Sequence, residues 1–204
     1  MPRTSLLLLL PFDETLRRLP RVVLGVWLFG VGIAAMVYAN LGGPPWDVFH
    51  QGVAAKLGLS IGTVIIATGG VLVLAFIPLG EQLGLGTLLN VVLVGVSADV
   101  TLACLPAGPS MWTRALLCAA GPVIVAAASG LYLSGGLGPG PRDGLMTGIG
   151  RRGFTIWKVR TAIEVGALVI GVLLGGTIGV GTAWFALSIG PLVQFCLQRL
   201  TPNR

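Results

Sequence analysis

Charge is what this chain has least of. Only 10% of its 204 residues are Asp, Glu, Lys or Arg, against 54% hydrophobic residues. A soluble domain carries about 25% charged residues, so a water-facing globule is excluded, and the mean hydropathy of +0.93 points to a bilayer instead. Histidine occurs once and cysteine three times. Cys104, Cys118 and Cys196 fall in or at the ends of apolar runs without metal-ligand spacing, as small buried apolar residues do. His50 has no companion ligands, so neither a metal site nor a cofactor is expected. No Gly-x-Ser-x-Gly elbow is present, and no Walker lysine follows Gly84-x-Gly86 or Gly179-x-Gly181. Enzymatic chemistry therefore finds no foothold. The net charge of +6 comes from cations flanking apolar runs rather than from an aromatic-interleaved basic face, which suits lipid headgroups and not nucleic acid.

What the chain does have is long apolar runs. A spanning helix needs about 20 mostly apolar residues, and six runs qualify: Val22–Ala39, Ile61–Leu79, Leu85–Leu105, Ala115–Leu133, Val159–Leu174 and Val180–Leu197. Leu6–Leu10 is too short for a signal-peptide core and lacks a small-residue cleavage pattern, so residues 1–20 read as a cytoplasmic tail. With the N-terminus inside, the cytoplasmic side receives Arg3, Arg17, Arg18, Arg21, Arg142, Arg151, Arg152, Lys158, Arg160, Arg199 and Arg204. The outside receives Lys56 and Arg114 alone. That asymmetry places both termini in the cytoplasm. Trp46 and Trp112 are expected near the outer interface and Trp157 near the inner one.

The chain also repeats itself. Leu41-Gly42-Gly43-Pro44-Pro45-Trp46-Asp47 returns as Leu137-Gly138-Pro139-Gly140-Pro141-Arg142-Asp143, an offset of 96 residues. Beyond a one-residue slip the offset is 95: Leu83-Gly84-Leu85-Gly86-Thr87 answers Ile178-Gly179-Val180-Gly181-Thr182. Each motif opens a segment too short to span, Pro45–Leu57 and Pro141–Arg152. An odd number of spans per copy inverts the second copy relative to the first. The expected fold is therefore an all-α membrane protein of six transmembrane helices. They form two inverted three-helix repeats, about 21–106 and 112–200, each with a short re-entrant or interfacial helix, in a single membrane domain over 21–204.

Several polar residues stand out against this background. Asp47 and Asp143 fall in the first turn of the short helices, where a carboxylate meets the positive end of the helix dipole. Either they serve only that capping role, or the segments re-enter and the carboxylates line a cavity for a solute or cation. Arg142 takes the place of Trp46, and suits an anion or a headgroup. Glu164 lies inside the fifth span, four residues after Arg160, so the two can meet on one helical face. They make either a structural pair or a proton- or ligand-linked one. Asn90 and Asp99 in the third span bond across helices or line a polar cavity. A paired-aspartate membrane enzyme would need Asp47, Asp99 or Asp143 to converge, which inverted repeats oppose unless both motifs re-enter deeply. Thr87 and Thr182 suit helix capping. Gly171-x-x-x-Gly175 offers a small-residue contact face, internal or for a homodimer.

Asn40-Leu41-Gly42-x-x-Pro45-Trp46-Asp47, Gly84-x-Gly86-Thr87-x-x-Asn90, Gly138-x-Gly140-Pro141-Arg142-Asp143-Gly144 and Arg160-x-x-x-Glu164 together resemble the YczE/YitT-type family of bacterial integral membrane proteins. The resemblance runs from about Arg21 to Leu200 and implies a small multi-spanning protein of the bacterial inner membrane, with no agreed activity. Val96 departs from it where the second half keeps Gly190-Pro191. The functional expectation is a small-solute secondary transporter or exporter. Its site would lie between the repeats and draw on Asp47, Asn90, Asp99, Arg142, Asp143, Arg160 and Glu164. The alternative is a non-transporting membrane scaffold or regulator of a partner protein.

Overall fold

A computed structural model describes residues 7, 8 and 11–200. Arg3, Arg204 and most of the run Leu6–Leu10 lie outside the described residues. Helices account for nearly all the rest. They are α1 (Phe12–Ala39), α2 (Pro45–Leu57), α3 (Ile61–Leu74), α4 (Phe76–Leu79), α5 (Leu85–Cys104), α6 (Met111–Gly135), α7 (Pro141–Gly150), α8 (Ile156–Leu173) and α9 (Val180–Leu200). Five helical stretches are long and apolar enough to cross a membrane: Phe12–Ala39, Ile61–Leu79, Leu85–Cys104, Met111–Gly135 and Val180–Leu200. The expected sixth, α8, is the exception, because Lys158, Arg160 and Glu164 all fall within its 18 residues. α1 also starts ten residues earlier than expected. It runs through Pro20, so residues 12–20 belong to the helix rather than to a tail. The break between α3 and α4 has a plain cause: Pro78 has no N–H to give to the Leu74 carbonyl.

α1 and α6 form the centre. Just over half of α1's apolar stretch and half of α6's is buried, against 11% for α9. The two run antiparallel at close range because small residues remove side chains from the contact. A Cβ on Gly25 would stand 2.7 Å from Tyr132 N, one on Gly32 2.7 Å from Val125 Cγ2, and one on Gly121 2.3 Å from Met36 Cγ. Each helix also closes the other's C-terminus. Arg18 of α1 donates to the Gly135 carbonyl at 3.2 Å, and Arg114 of α6 donates to the Ala39 carbonyl at 2.7 Å. A guanidinium there meets both the unpaired carbonyl and the negative end of the dipole. α5 packs on α1 as α9 packs on α6, and α2 lies against α8. Gly171 is spent on that last contact, where its Cβ would come within 2.5 Å of Phe49 N, whereas Gly175 turns the chain at φ +96°. The small-residue face is thus internal.

The Gly/Pro motifs are where helix gives way. Asn40 leaves α1 in the left-handed region and Gly42 follows at φ +97°; Gly136 and Gly138 do the same after α6, the latter at φ +122°. Each motif then reaches across to the other half. Gly181 N donates to the Leu41 carbonyl at 2.8 Å, and Gly86 N donates to the Leu137 carbonyl at 2.7 Å. Thr87 and Thr182 cap as expected, each hydroxyl accepting from the N–H three residues before it at 3.4 Å. The outer surface of the bundle is apolar, with Val71, Leu74, Leu116, Leu173 and Leu187 all more than 60% exposed. Such a surface suits lipid rather than water.

The turns admit no side chain. A Cβ on Gly84 would sit 2.0 Å from the Leu137 carbonyl, whereas one on Gly70 meets nothing within 4 Å. Gly84→Ala should cost about 1–3 kcal/mol through overpacking and lower the Tm of the detergent-solubilised protein, while Gly70→Ala, inside α3, should leave it unchanged or raise it. Equal Tm values would refute the docking of motif on turn.

Candidate functional site

Proline at the first position of α2 and of α7 starts each short helix without a side-chain cap, since Pro44 and Gly140 precede them. Asp47 and Asp143 then occupy equivalent places in the two first turns. Because each motif is held by the opposite half, the two first turns converge inside the molecule instead of lying at separate surfaces. Between them stands Arg142. Its guanidinium lies 5.1 Å from the centre of the Trp46 ring, and its Nη2 is 3.8 Å from Asp47 Oδ1. Asp143 also attracts it, and accepts a hydrogen bond from the Tyr132 hydroxyl at 2.9 Å.

Asp47 is 1% exposed, and neither of its oxygens has a hydrogen-bond partner among the described residues. His50, one helical turn on, is fully buried with both ring nitrogens likewise unpartnered, and its Nδ1 is 3.5 Å from Asp47 Oδ1. Trp46 Nε1 completes the unpartnered set. Trp46 was expected at an outer interface. Its ring packs instead against Arg142, Phe49 and His50, because the broken backbone carries it inward.

Trp46, Tyr132, Arg142 and Asp143 border a cavity of about 250 Å³, which Asp47 meets through Arg142. Equivalent positions of the two halves line it together: Phe29 with Val125, Pro44 with Gly140, Trp46 with Arg142, Ile65 with Arg160, Gly69 with Glu164, Asn90 with Phe185, and Val94 with Ile189. Most of the charge comes from one side. Arg160 and Glu164 form an ion pair of 2.9 Å along α8, half exposed and a third exposed respectively, facing positions that are Ile65 and Gly69 in the first half. Arg160, Ile189 and Val193 also border a groove between α8 and α9, so the cavity opens on that flank.

Of the seven residues singled out from the sequence, six belong to this region: Asp47, Asn90, Arg142, Asp143, Arg160 and Glu164. Asp99 does not. It accepts from Gly62 N at 2.7 Å and from the Ser60 hydroxyl at 2.6 Å, anchoring the start of α3 away from the cavity. The helix N-terminus is a stronger attractor for that carboxylate than a shared cavity with Asn90. Two residues of the site were not foreseen. Tyr132 carries no sequence signal, since its partner Asp143 reaches it only through the turn after α6. His50 carries one, its spacing of three from Asp47 on a short helix. A third buried group, Glu81, is 2% exposed and ties α7 down through Arg151 at 2.9 Å and Thr147 at 3.2 Å. No three His, Cys, Asp or Glu side chains gather as metal ligands would among the described residues.

A helical bundle with an apolar outside and five helices long and apolar enough to cross a membrane is the build of a multi-pass membrane protein. The chain belongs to the family of unknown function DUF6198, whose model matches residues 16–198. It is 35% identical over 199 residues to an uncharacterized protein of Haemophilus influenzae, covering 97% of this chain and 91% of that one. It is 36% identical over 179 residues to the uncharacterized membrane protein YczE of Bacillus subtilis, covering 86% and 83%. The resemblance read from the motifs is thereby confirmed. No solved structure matches the chain.

The Tyr132–Asp143 bond gives a direct check on the geometry. In a double-mutant cycle of Tyr132→Phe and Asp143→Asn, unfolding in detergent should reveal a coupling of about 1 kcal/mol. Strictly additive losses would show that hydroxyl and carboxylate do not meet.

Proposed function

We propose that this membrane protein is a small secondary transporter, holding its solute in the central cavity between two halves that enter the bilayer in opposite senses. The observation that carries the reading is the meeting of two broken helix starts, one from each half, with Asp47, Arg142 and Asp143 between them. Paired discontinuous segments at a repeat interface are how many secondary transporters build their sites. Three features support the inverted arrangement: the antiparallel α1–α6 pair, the reciprocal bonds from Arg18 and Arg114, and those from Gly86 and Gly181. α8 then serves as the sixth span. Its charges are tolerated because Glu164 faces the cavity and Arg160 pairs with it. The excess of cations on the N-terminal side supports a topology with both termini in the cytoplasm.

Cavity walls define the solute. A volume of about 250 Å³ lies just below the usual range of roughly 300–1,000 Å³ for ligand pockets, so the solute is small. One wall is largely apolar, with Ile65, Gly69 and Val94. The other offers Arg142, Asp143, Arg160 and Glu164. A compact organic solute with an apolar body and an ionic head fits both.

Transport is tested in two stages. In a background freed of Cys104, Cys118 and Cys196, cysteines placed at Ser129 and Met146 should react with a small water-soluble thiol reagent. A panel of radiolabelled organic acids and amines is then screened for uptake into proteoliposomes and for protection of those cysteines. Arg142→Gln and Glu164→Gln should each lower the uptake found by about tenfold or more, the loss of one charge-assisted contact, with folding retained. Cysteines that never react, or uptake indifferent to both substitutions, would overturn the reading in favour of a scaffold.

A further inference from the structure

We infer that Asp47 and His50 form a buried proton-binding pair, and that Asp47 serves alternately as the partner of His50 and of Arg142. The inference deepens the transport reading, on which it rests only for its consequence, by assigning a coupling ion.

Five side-chain polar atoms on little more than one turn of α2 are buried without hydrogen-bond partners among the described residues: Trp46 Nε1, both Asp47 oxygens and both His50 nitrogens. Buried polar groups are almost always paired, so such a concentration marks a place where these groups can take a further partner. Asp47 Oδ1 sits between two cationic candidates, 3.5 Å from His50 Nδ1 and 3.8 Å from Arg142 Nη2. Both lie beyond a normal hydrogen bond, and a shift of under about 1 Å would complete either one. The two rivals belong to different bodies. His50 shares α2 with Asp47, whereas Arg142 comes from α7 of the second half. Relative movement of the halves therefore decides which one Asp47 holds.

A protonated imidazole is a better partner for the carboxylate than a neutral one. When His50 takes a proton from water, one N–H bond forms on the ring and Asp47 is drawn to it. Arg142 is then left with the Trp46 face and Asp143 and is free to meet an anionic head in the cavity. When the proton leaves, Asp47 returns to Arg142. Proton binding and anion binding would thus favour each other, and that linkage is reciprocal.

Glu164 is the weaker candidate for the proton because Arg160 already matches it on its own helix at 2.9 Å. Other ionisable groups on the elements around the pair are few. α7 supplies Arg142 and Asp143, and α8 supplies Lys158, Arg160 and Glu164. α2 adds Lys56 at its far end. α3 carries none, and α1 carries only Tyr38 beyond Arg21.

The chain has a single histidine, so one imidazole signal reports on the pair without assignment. In full-length protein labelled with 15N-histidine and held in lipid nanodiscs, that signal should titrate with pH. Asp47→Asn should lower its midpoint by about one pH unit, a tenfold loss of proton affinity, and Arg142→Gln should raise it by a similar amount. Should Asp47→Asn fail to fold, the wild-type and Arg142→Gln titrations decide alone. A signal that stays constant across the accessible range, or an Arg142→Gln midpoint equal to wild type, overturns the inference. Neither result touches the uptake and labelling assays, so a failed proton pair and a failed transporter are told apart.

Discussion

Two backbone hydrogen bonds hold the arrangement together, from Gly181 to the Leu41 carbonyl and from Gly86 to the Leu137 carbonyl. Backbone that leaves a helix inside an apolar bundle has no water to bond and must find protein partners. Here neither half can satisfy its own motif, and each takes its donor from the Gly-x-Gly-Thr turn of the other. That exchange turns the first turns of α2 and α7 inward. It also explains why the turns tolerate no Cβ, since the carbonyl of the opposite motif already lies within 2.0 Å of where one would be at Gly84.

The motifs and turns recur in both halves of the chain, and the charged side chains of the site, the aspartates apart, do not. Seven pairs of equivalent positions line the cavity, yet Arg142 stands where the first half has Trp46, and Arg160 and Glu164 stand where it has Ile65 and Gly69. Among the charged residues of the site, the aspartates alone are kept in both halves, and even they differ in company. Asp143 holds the Tyr132 hydroxyl, while Asp47 is buried beside His50 and lacks a settled partner. A symmetric scaffold needs small residues, prolines and caps. Under the transport reading proposed above, an asymmetric solute needs different side chains on the two walls, and the charges that line the cavity all come from the second half.

Much of this was legible before any coordinates. The short helices begin at Pro45 and Pro141 because proline suits a first helical position, and their Asp residues follow from the helix dipole. Arg160 and Glu164 meet because four residues separate them on a helix. Asp99 could not be placed that way: whether a carboxylate late in a span faces a cavity or caps a neighbouring helix depends on where α3 begins in space. α1's early start is not legible because Pro20 and the surrounding charges resemble a boundary, yet the helix runs through Pro20.

Sequence alone determined the class, the two copies of the motif and the spacing of the residues within each short helix, because hydropathy and helical period are local properties. Only tertiary structure decided that the copies exchange partners, that Trp46 turns inward, that Tyr132, Arg142 and Asp143 share one cavity, and that Asp47 approaches Arg142. Apart from the Tyr132–Asp143 bond, those contacts join residues of different halves, and they exist only where broken backbone from one half meets its hydrogen-bond donors in the other.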